Sequence, residues 1–261
     1  MGKKSTSSIF GVKVFYLPTF LWKKKIQTKL LSEDTSITTL YTLNLEILSL
    51  AINDLKYAQI IRKGSWVTVD GITISILLFF KHFKIVHRIC GSDLIYDLLD
   101  TCTKTKKSLA IIGGKPSSVE KATQIVQSKY PSLVFNAFSP IFPTPIAIEE
   151  YEDLALFIKK NRPDVLAVCL GAPKQELWIE KNKTFLEESG VKIVAGLGGT
   201  IDFLGKTIPR APTLFRILGL EWLWRGILEP FRFKRYIKSA FIVFKYILKT
   251  TFLRKNNDTD K

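Results

Sequence analysis

Six short apolar runs, rich in β-branched residues, recur along this chain with amphipathic stretches between them. That alternation limits the fold more than any other feature. The runs are Thr38–Leu43, Trp66–Asp70, Leu109–Gly113, Leu133–Ala137, Val165–Leu170 and Ile193–Gly196. Nearly every consecutive residue in them is apolar, the pattern expected of strands whose two faces are both covered in a parallel sheet. Helices are expected over Leu45–Arg62, Ser92–Thr103, Ser118–Lys129, Ala147–Lys160 and Pro173–Glu188. Ser117 with Glu120 reads as a capping box, and Pro173 suits a first helical turn. Strand–helix alternation of this kind predicts an α/β class, a Rossmann-like parallel sheet with helices on both faces.

The 261 residues suffice for one core that buries roughly 70–75% of the unfolded surface. Near Gly205 the alternation stops. Residues 1–205 are therefore expected to form the α/β core, and residues 206–261 a basic amphipathic helical appendage. Of the net charge of +16, about ten charges fall within Lys206–Lys255, where only Glu221 and Glu229 oppose the Lys and Arg residues. Leu214, Phe215, Leu218, Trp222, Trp224, Ile227, Phe231 and Phe233 are interleaved with them. Such a segment can lie on an anionic bilayer, its apolar face down and its cations among the headgroups. The longest apolar run, Ile72–Phe80, is about half of the ~20 residues that cross a bilayer, so the protein is expected to rest on a membrane and not to span it. The start, MGKKSTSSIFG, carries charge without an apolar core, and no signal peptide is expected.

Ligands of doubly wound sheets bind beyond the carboxyl ends of the strands. Asp70 stands there, followed by Gly71, and a shielded carboxylate at that place can take a proton from an acceptor hydroxyl. A helix-capping aspartate explains the same spacing equally well. The turn Gly171–Glu176 opens a helix with Lys174 and Gln175, whose free N–H groups attract phosphate or a sugar hydroxyl. Gly113-Gly114 and Gly198-Gly199 offer two further turns of close approach, but no full Gly-x-Gly-x-x-Gly supports a nicotinamide enzyme. Cys90, Cys102 and Cys169 have no metal-ligand spacing and read as reduced residues of a cytosolic protein. His82 and His87 form no zinc motif, and no Gly-x-Ser-x-Gly supports a serine hydrolase.

One ordered set of motifs goes further. It comprises GAPKQELWIEK at Gly171–Lys181, then Gly198, Gly199, Asp202, Phe203, Arg210–Pro212, Gly219–Trp222, Glu229–Pro230 and Arg232. Over roughly Thr38 to Tyr236 the chain resembles the WecG/TagA/CpsF family of bacterial glycosyltransferases. The resemblance implies an inverting transferase that moves a sugar from a nucleotide-sugar donor, expected to be a UDP-sugar, onto a polyprenyl-diphosphate-linked sugar. The setting it implies is the synthesis of a cell-surface polysaccharide or teichoic-acid-type polymer, on the inner face of the cell membrane. It implies Asp70 as general base, Thr42 and Asn44 of the Thr-x-Asn motif at the sugar, and Arg88 ahead of Gly-Ser-Asp at a diphosphate. For Asn44 a helix cap, and for Arg88 a pair with Asp93, remain equally open. Gln175 is expected to be a direct ligand, with Lys174, Gly198 and Gly199 beside it.

Many nucleotide-sugar transferases hold a divalent metal through Asp-x-Asp. Here that pattern occurs only at Asp258 and Asp260, in a polar tail. No metal and no cofactor is expected, and Arg210, Arg216, Arg225, Arg232 and Arg235 are the candidates to offset the leaving diphosphate. Three departures from the family pattern fall on the donor pocket: Thr73 replaces a glycine, Val69 a proline, and NAFSPIFPTP lacks a glycine–aromatic pairing. A basic α/β protein that binds nucleic acid is the main rival, but it needs stacking or base-reading side chains beside the charge. A non-catalytic binder of nucleotide sugars is the other, against which Asp70 stands. No nucleic acid partner is expected, and the number of subunits stays open.

Overall fold

The computed structural model describes residues 6–83, 86–140 and 152–259, apart from the side chains of His82 and of residues 250–259. Eight strands form one sheet: β1 (Thr6–Ile9), β2 (Val12–Phe15), β3 (Thr38–Leu43), β4 (Trp66–Val69), β5 (Leu109–Gly113), β6 (Phe135–Phe138), β7 (Val165–Cys169) and β8 (Ile193–Gly196). Their order is β1-β2-β4-β3-β8-β7-β5-β6. Every pairing is parallel except the β1–β2 hairpin. Successive side chains leave opposite faces, and burial follows. In β5, Leu109 and Ile111 enter one core layer while Ala110 and Ile112 enter the other. That is why the central strands read as nearly continuous apolar runs.

The predicted strands stand, with ends shifted by a residue or two: β4 stops before Asp70, β7 before Leu170, and β6 starts at Phe135. Two predicted helices are each broken in two. Leu45–Arg62 divides into α2 (Leu45–Asn53) and α3 (Leu55–Arg62), after a first helix α1 (Thr19–Leu31). Asp54 sits extended between them and accepts from the N–H groups of Lys56 and Tyr57, so it caps a new helix. The next helices are α4 (Ile72–His82), α5 (Gly91–Thr105), α6 (Pro116–Lys129) and α7 (Glu152–Asn161). The start predicted for α7, from Ala147, lies outside the described residues. Pro173–Glu188 likewise becomes α8 (Lys174–Lys181) and α9 (Lys183–Glu188), interrupted at Asn182.

The Ser117–Glu120 capping box does not form. α6 begins at Pro116, with Lys115 at its N-cap making no side-chain cap bond, and Ser118 instead donates to Asp202 at 2.8 Å. Pro173 is the N-cap of α8, one residue ahead of its first turn.

After α10 (Thr200–Leu204) the chain passes through Gly205 into α11 (Thr213–Leu218), α12 (Glu221–Leu228) and the long α13 (Pro230–Thr259). α13 packs along α2, with Ser239 and Val243 buried and Tyr246 edge-on to Phe10 at 4.9 Å. The C-terminal helices thus bring α12 and the start of α13 over the carboxyl ends of β3, β4, β7 and β8.

Candidate active site

A cavity of about 500 Å³ opens at those strand ends. Thr42, Asn44, Asp70, Lys174, Gln175, Gly198 and Gly199 line it, and so do Arg225, Arg232 and Arg235. Arg88, Arg210 and Arg216 do not.

Asp70 is positioned by backbone on both sides. Its N–H donates to Leu43 O at 2.9 Å, and Ile89 N–H donates to Val69 O at 2.8 Å, so the end of β4 is clamped between its neighbours. Gly71, at φ +79°, then turns the chain into α4, a backbone state that L side chains rarely adopt. The N-cap of α4 is Gly71, not Asp70; the Asp70 carboxylate faces the Cys90 thiol and the Gly91 N–H, both of which favour its charged form. Burial pushes its pKa up to about 7, with the nearby Glu221 adding to the rise and the two hydrogen bonds opposing it. A carboxylate poised near neutrality is matched to taking up a proton at physiological pH. The Cys90 thiol is itself held well above its usual range, first by burial and then by Asp70, so it stays a neutral donor.

Asn44 accepts the Ile47 N–H at 3.0 Å and is the N-cap of α2, while it also lines the cavity. Thr42 is buried beside it at the end of β3. Gln175 lines the cavity with its amide turned to partners within the protein. It is buried, its Oε1 accepts the Gly198 N–H at 2.7 Å, and its Nε2 donates to Glu176 at 2.7 Å. Both ends of the amide are engaged inside the protein, so Gln175 braces the Gly198 turn. Gly198 has φ +57°. A Cβ on Gly199 would lie 2.6 Å from Arg225 Nη1, so glycine there lets the guanidinium rest on the backbone.

Each cavity arginine faces a carboxylate. Arg225 Nη2 is 3.3 Å from Asp202 and its Nε 3.2 Å from Glu229, and its guanidinium stacks 4.8 Å from the Phe203 ring. Arg232 Nε lies 2.7 Å from the same Glu229, and Arg235 Nε 2.9 Å from Glu46. Burial raises the pKa of Glu46, and Arg235, Arg232 and Arg225 oppose the rise.

The other three arginines have structural partners. Arg88 donates to the carbonyls of Arg216 and Ile217 and so caps the end of α11; it pairs with neither a cavity group nor Asp93. Gly219 sits at φ +74°, a backbone state that L side chains rarely adopt, and a Cβ there would also press on Arg88 Nη1. Arg210 is the hub of a clasp: it lies 2.8 Å from Asp93 and 3.2 Å from Glu221, and donates to Ser92 O at 2.9 Å. Arg216 is exposed and reaches Thr213 Oγ1 at 3.1 Å.

Sequence reasoning missed Glu221, Glu46, Glu176 and Cys90. Glu221 and Glu176 lie inside the Gly-Leu-Glu-Trp and Gly-Ala-Pro-Lys-Gln-Glu motifs and could have been found there. Nothing local to Glu46 or Cys90 signals a site. A second recess, of about 510 Å³, adjoins the first and shares Cys169, Leu170, Lys174, Asp202 and Arg232 with it; Gly114, Lys115 and Ser117 form its far side. Among the described residues, no group of three His, Cys, Asp or Glu is placed to hold a metal ion. Asp260, and the side chain of Asp258, lie outside the described residues.

A family model described as the glycosyl transferase WecG/TagA/CpsF family matches residues 8–257. The chain belongs to that family. Among its relatives, the N-acetylglucosaminyldiphosphoundecaprenol N-acetyl-beta-D-mannosaminyltransferase of Bacillus subtilis (strain 168) is 30% identical over 218 residues, 84% of this chain and 80% of the relative. A protein of the same name from Staphylococcus aureus (strain NCTC 8325 / PS 47) is 26% identical over 222 residues, 85% and 84% of the two chains. Membership makes the chain a glycosyltransferase, as its motifs implied. No helix among the described residues of this WecG/TagA/CpsF member is long and apolar enough to cross a membrane.

Proposed function

We propose that this transferase moves N-acetylmannosamine from a UDP-linked donor onto N-acetylglucosamine carried by polyprenyl diphosphate. The relatives' names supply the two sugars and the lipid. The observation that carries the reading is Asp70, a carboxylate with its pKa near 7 on the floor of a cavity that three arginines overhang. Asp70 takes the proton from the acceptor hydroxyl as that oxygen attacks the donor carbon, and the nucleotide leaves from the opposite side. With an α-linked donor, a single displacement of this kind gives the β linkage in the relatives' names. Arg225, Arg232 and Arg235 stabilise the charge that develops on the leaving diphosphate. They take over that role from Arg210 and Arg216, which the sequence had placed beside them. The adjoining recess, with Lys115, Lys174 and the start of α6 on its walls, extends the donor site toward the nucleoside.

The enzyme works from the inner face of the membrane. Ile237, Phe241, Phe244 and Leu248 are exposed and recur at i, i+4, i+7 and i+11, a single stripe on α13, with Lys238, Lys245 and Lys249 beside it. An apolar stripe between cations lies in an anionic interface with its rings below the headgroups. Residues 206–261 act as this membrane-seated appendage, and residues 1–205 as the catalytic core.

Mass spectrometry of lipid-linked products after incubation with a panel of UDP-sugars tests the reading. Mass gain from UDP-N-acetylmannosamine alone is expected. Gain from another sugar corrects the donor, and none from any donor removes the transferase reading.

A further inference from the structure

Beneath the cavity floor lies a carboxylate that the transfer chemistry does not use. Glu176 is fully buried, with 0% of its surface exposed, and does not line the cavity. It accepts from Gln175 Nε2 at 2.7 Å and from the Tyr57 hydroxyl, on α3, at 3.0 Å. Burial raises its pKa to about 7; the hydrogen bonds from Gln175, its own N–H and Tyr57 oppose the rise, and Glu46 adds to it. For stability alone this is a poor choice, since a neutral amide of the same shape avoids the desolvation cost of a buried charge.

What a carboxylate does that an amide cannot is fix a direction. The two ends of a glutamine side chain have nearly the same shape but opposite hydrogen-bonding character. An ionised carboxylate only accepts, so it draws the Gln175 NH₂ to itself and turns the oxygen toward Gly198, whose N–H is 2.7 Å away. The bond to Gly198 steadies the turn at φ +57°, and the next residue, Gly199, is the surface on which the Arg225 guanidinium lies.

We propose that Glu176 is a positioning residue for glycosyl transfer: by orienting the Gln175 amide it holds the Gly198–Gly199 turn, and the turn seats Arg225 at the cavity wall. The proposal rests on the reading of the cavity as a transfer site. It assigns Glu176 no contact with substrate.

The test uses the full chain carrying Glu176→Gln, with Tyr57→Phe as the milder variant. Three readouts are needed: transfer from UDP-N-acetylmannosamine to polyprenyl-diphosphate-linked N-acetylglucosamine, hydrogen–deuterium exchange across residues 193–205, and thermal unfolding. Glu176→Gln can offer Gln175 either a donor or an acceptor, so the direction is lost while the volume stays. Displacement of a group near the reacting atoms by ~1 Å costs on the order of 10²-fold in rate. The expected result is a kcat fall of that size, a smaller change in donor KM, faster exchange at Gly198 and Gly199, and an unfolding temperature no lower than that of the unchanged protein. Tyr57→Phe should move kcat and exchange in the same direction by less.

Wild-type kcat or unaltered exchange in Glu176→Gln overturns the proposal, as does a lowered unfolding temperature without a kcat effect. Should that variant fail to fold, Tyr57→Phe decides by the same two readouts. Absence of transfer by the unchanged chain would sink the functional reading instead, and the exchange data would still judge this one.

Discussion

Replacing Asp70 with asparagine should abolish transfer and, at the same time, stabilise the fold. In the folded chain the pKa of Asp70 is raised from 3.8 to about 7, so the folded state keeps a proton that the unfolded state gives up. The stability of the neutral form is therefore fully present below about pH 4 and is lost as pH rises toward 7. Above pH 7 both states are ionised and the loss is complete. A shift of this size amounts to about 4 kcal/mol as an upper bound. Asparagine never ionises, so its advantage over aspartate should be near zero at pH 4, grow through pH 5 and 6, and level off above 7. For a protein of this size that is a rise in Tm on the order of 10 °C at pH 8. Paired thermal scans of the two proteins from pH 4 to 8 isolate Asp70, because Glu176 and Glu46 titrate alike in both. At pH 8 transfer should fall by ~10²–10⁴-fold, since the amide cannot take up the proton, and the gap should narrow below pH 7 as the aspartate itself becomes protonated. Near wild-type turnover would remove Asp70 from the mechanism. Lost turnover with a pH-independent Tm difference would show that the carboxylate is not raised, and the buried-base reasoning would fail.

Initial rates should also report the raised carboxylates: kcat/KM is expected to climb below pH 7, as Asp70 and Glu176 ionise, and to flatten above it, and a limb centred near 4 would contradict the burial of Asp70. Transfer should survive EDTA, because arginines are proposed to offset the leaving diphosphate; loss that magnesium or manganese restores would reveal a metal site. Arg225→Ala and Arg232→Ala should each lower kcat by about 10²-fold, whereas Arg216→Ala should leave it near the wild-type value, a contrast that steady-state kinetics checks. Phe241→Ser with Phe244→Ser should weaken flotation with phosphatidylglycerol vesicles without lowering Tm, since both side chains are exposed; unchanged flotation would place the membrane contact elsewhere.

The sheet was legible because its parallel core strands are short, mostly apolar and β-branched runs that alternate with amphipathic helical stretches. The breaks at Asp54 and Asn182 were harder to see. Each lies inside a continuous helical periodicity, and only the local competition between a side-chain oxygen or amide and the backbone decides the interruption. The β1–β2 hairpin and α1 escaped notice because β1 is a polar, four-residue edge strand and α1 buries little beyond Trp22, Ile26, Lys29 and Leu30. At the site, motif position located Asp70, Thr42, Asn44 and Gly199 on the cavity. It could not sort the five arginines. Which ones face the cavity depends on how α11 and α12 turn at Gly219, and Arg88, more than a hundred residues away in the chain, bonds to the carbonyls just before that turn.

The carboxylates that accompany the cavity arginines bear on turnover. Before any donor enters, Glu46, Asp202 and Glu229 already engage Arg235, Arg225 and Arg232. In the role proposed for these arginines, an incoming diphosphate would have to displace internal competitors, and a departing one would leave behind partners ready to close again. A bare triad of arginines would grip the spent nucleotide tightly and could make its escape the slow step. On the proposed function, a wall balanced in this way would attract a diphosphate without retaining it.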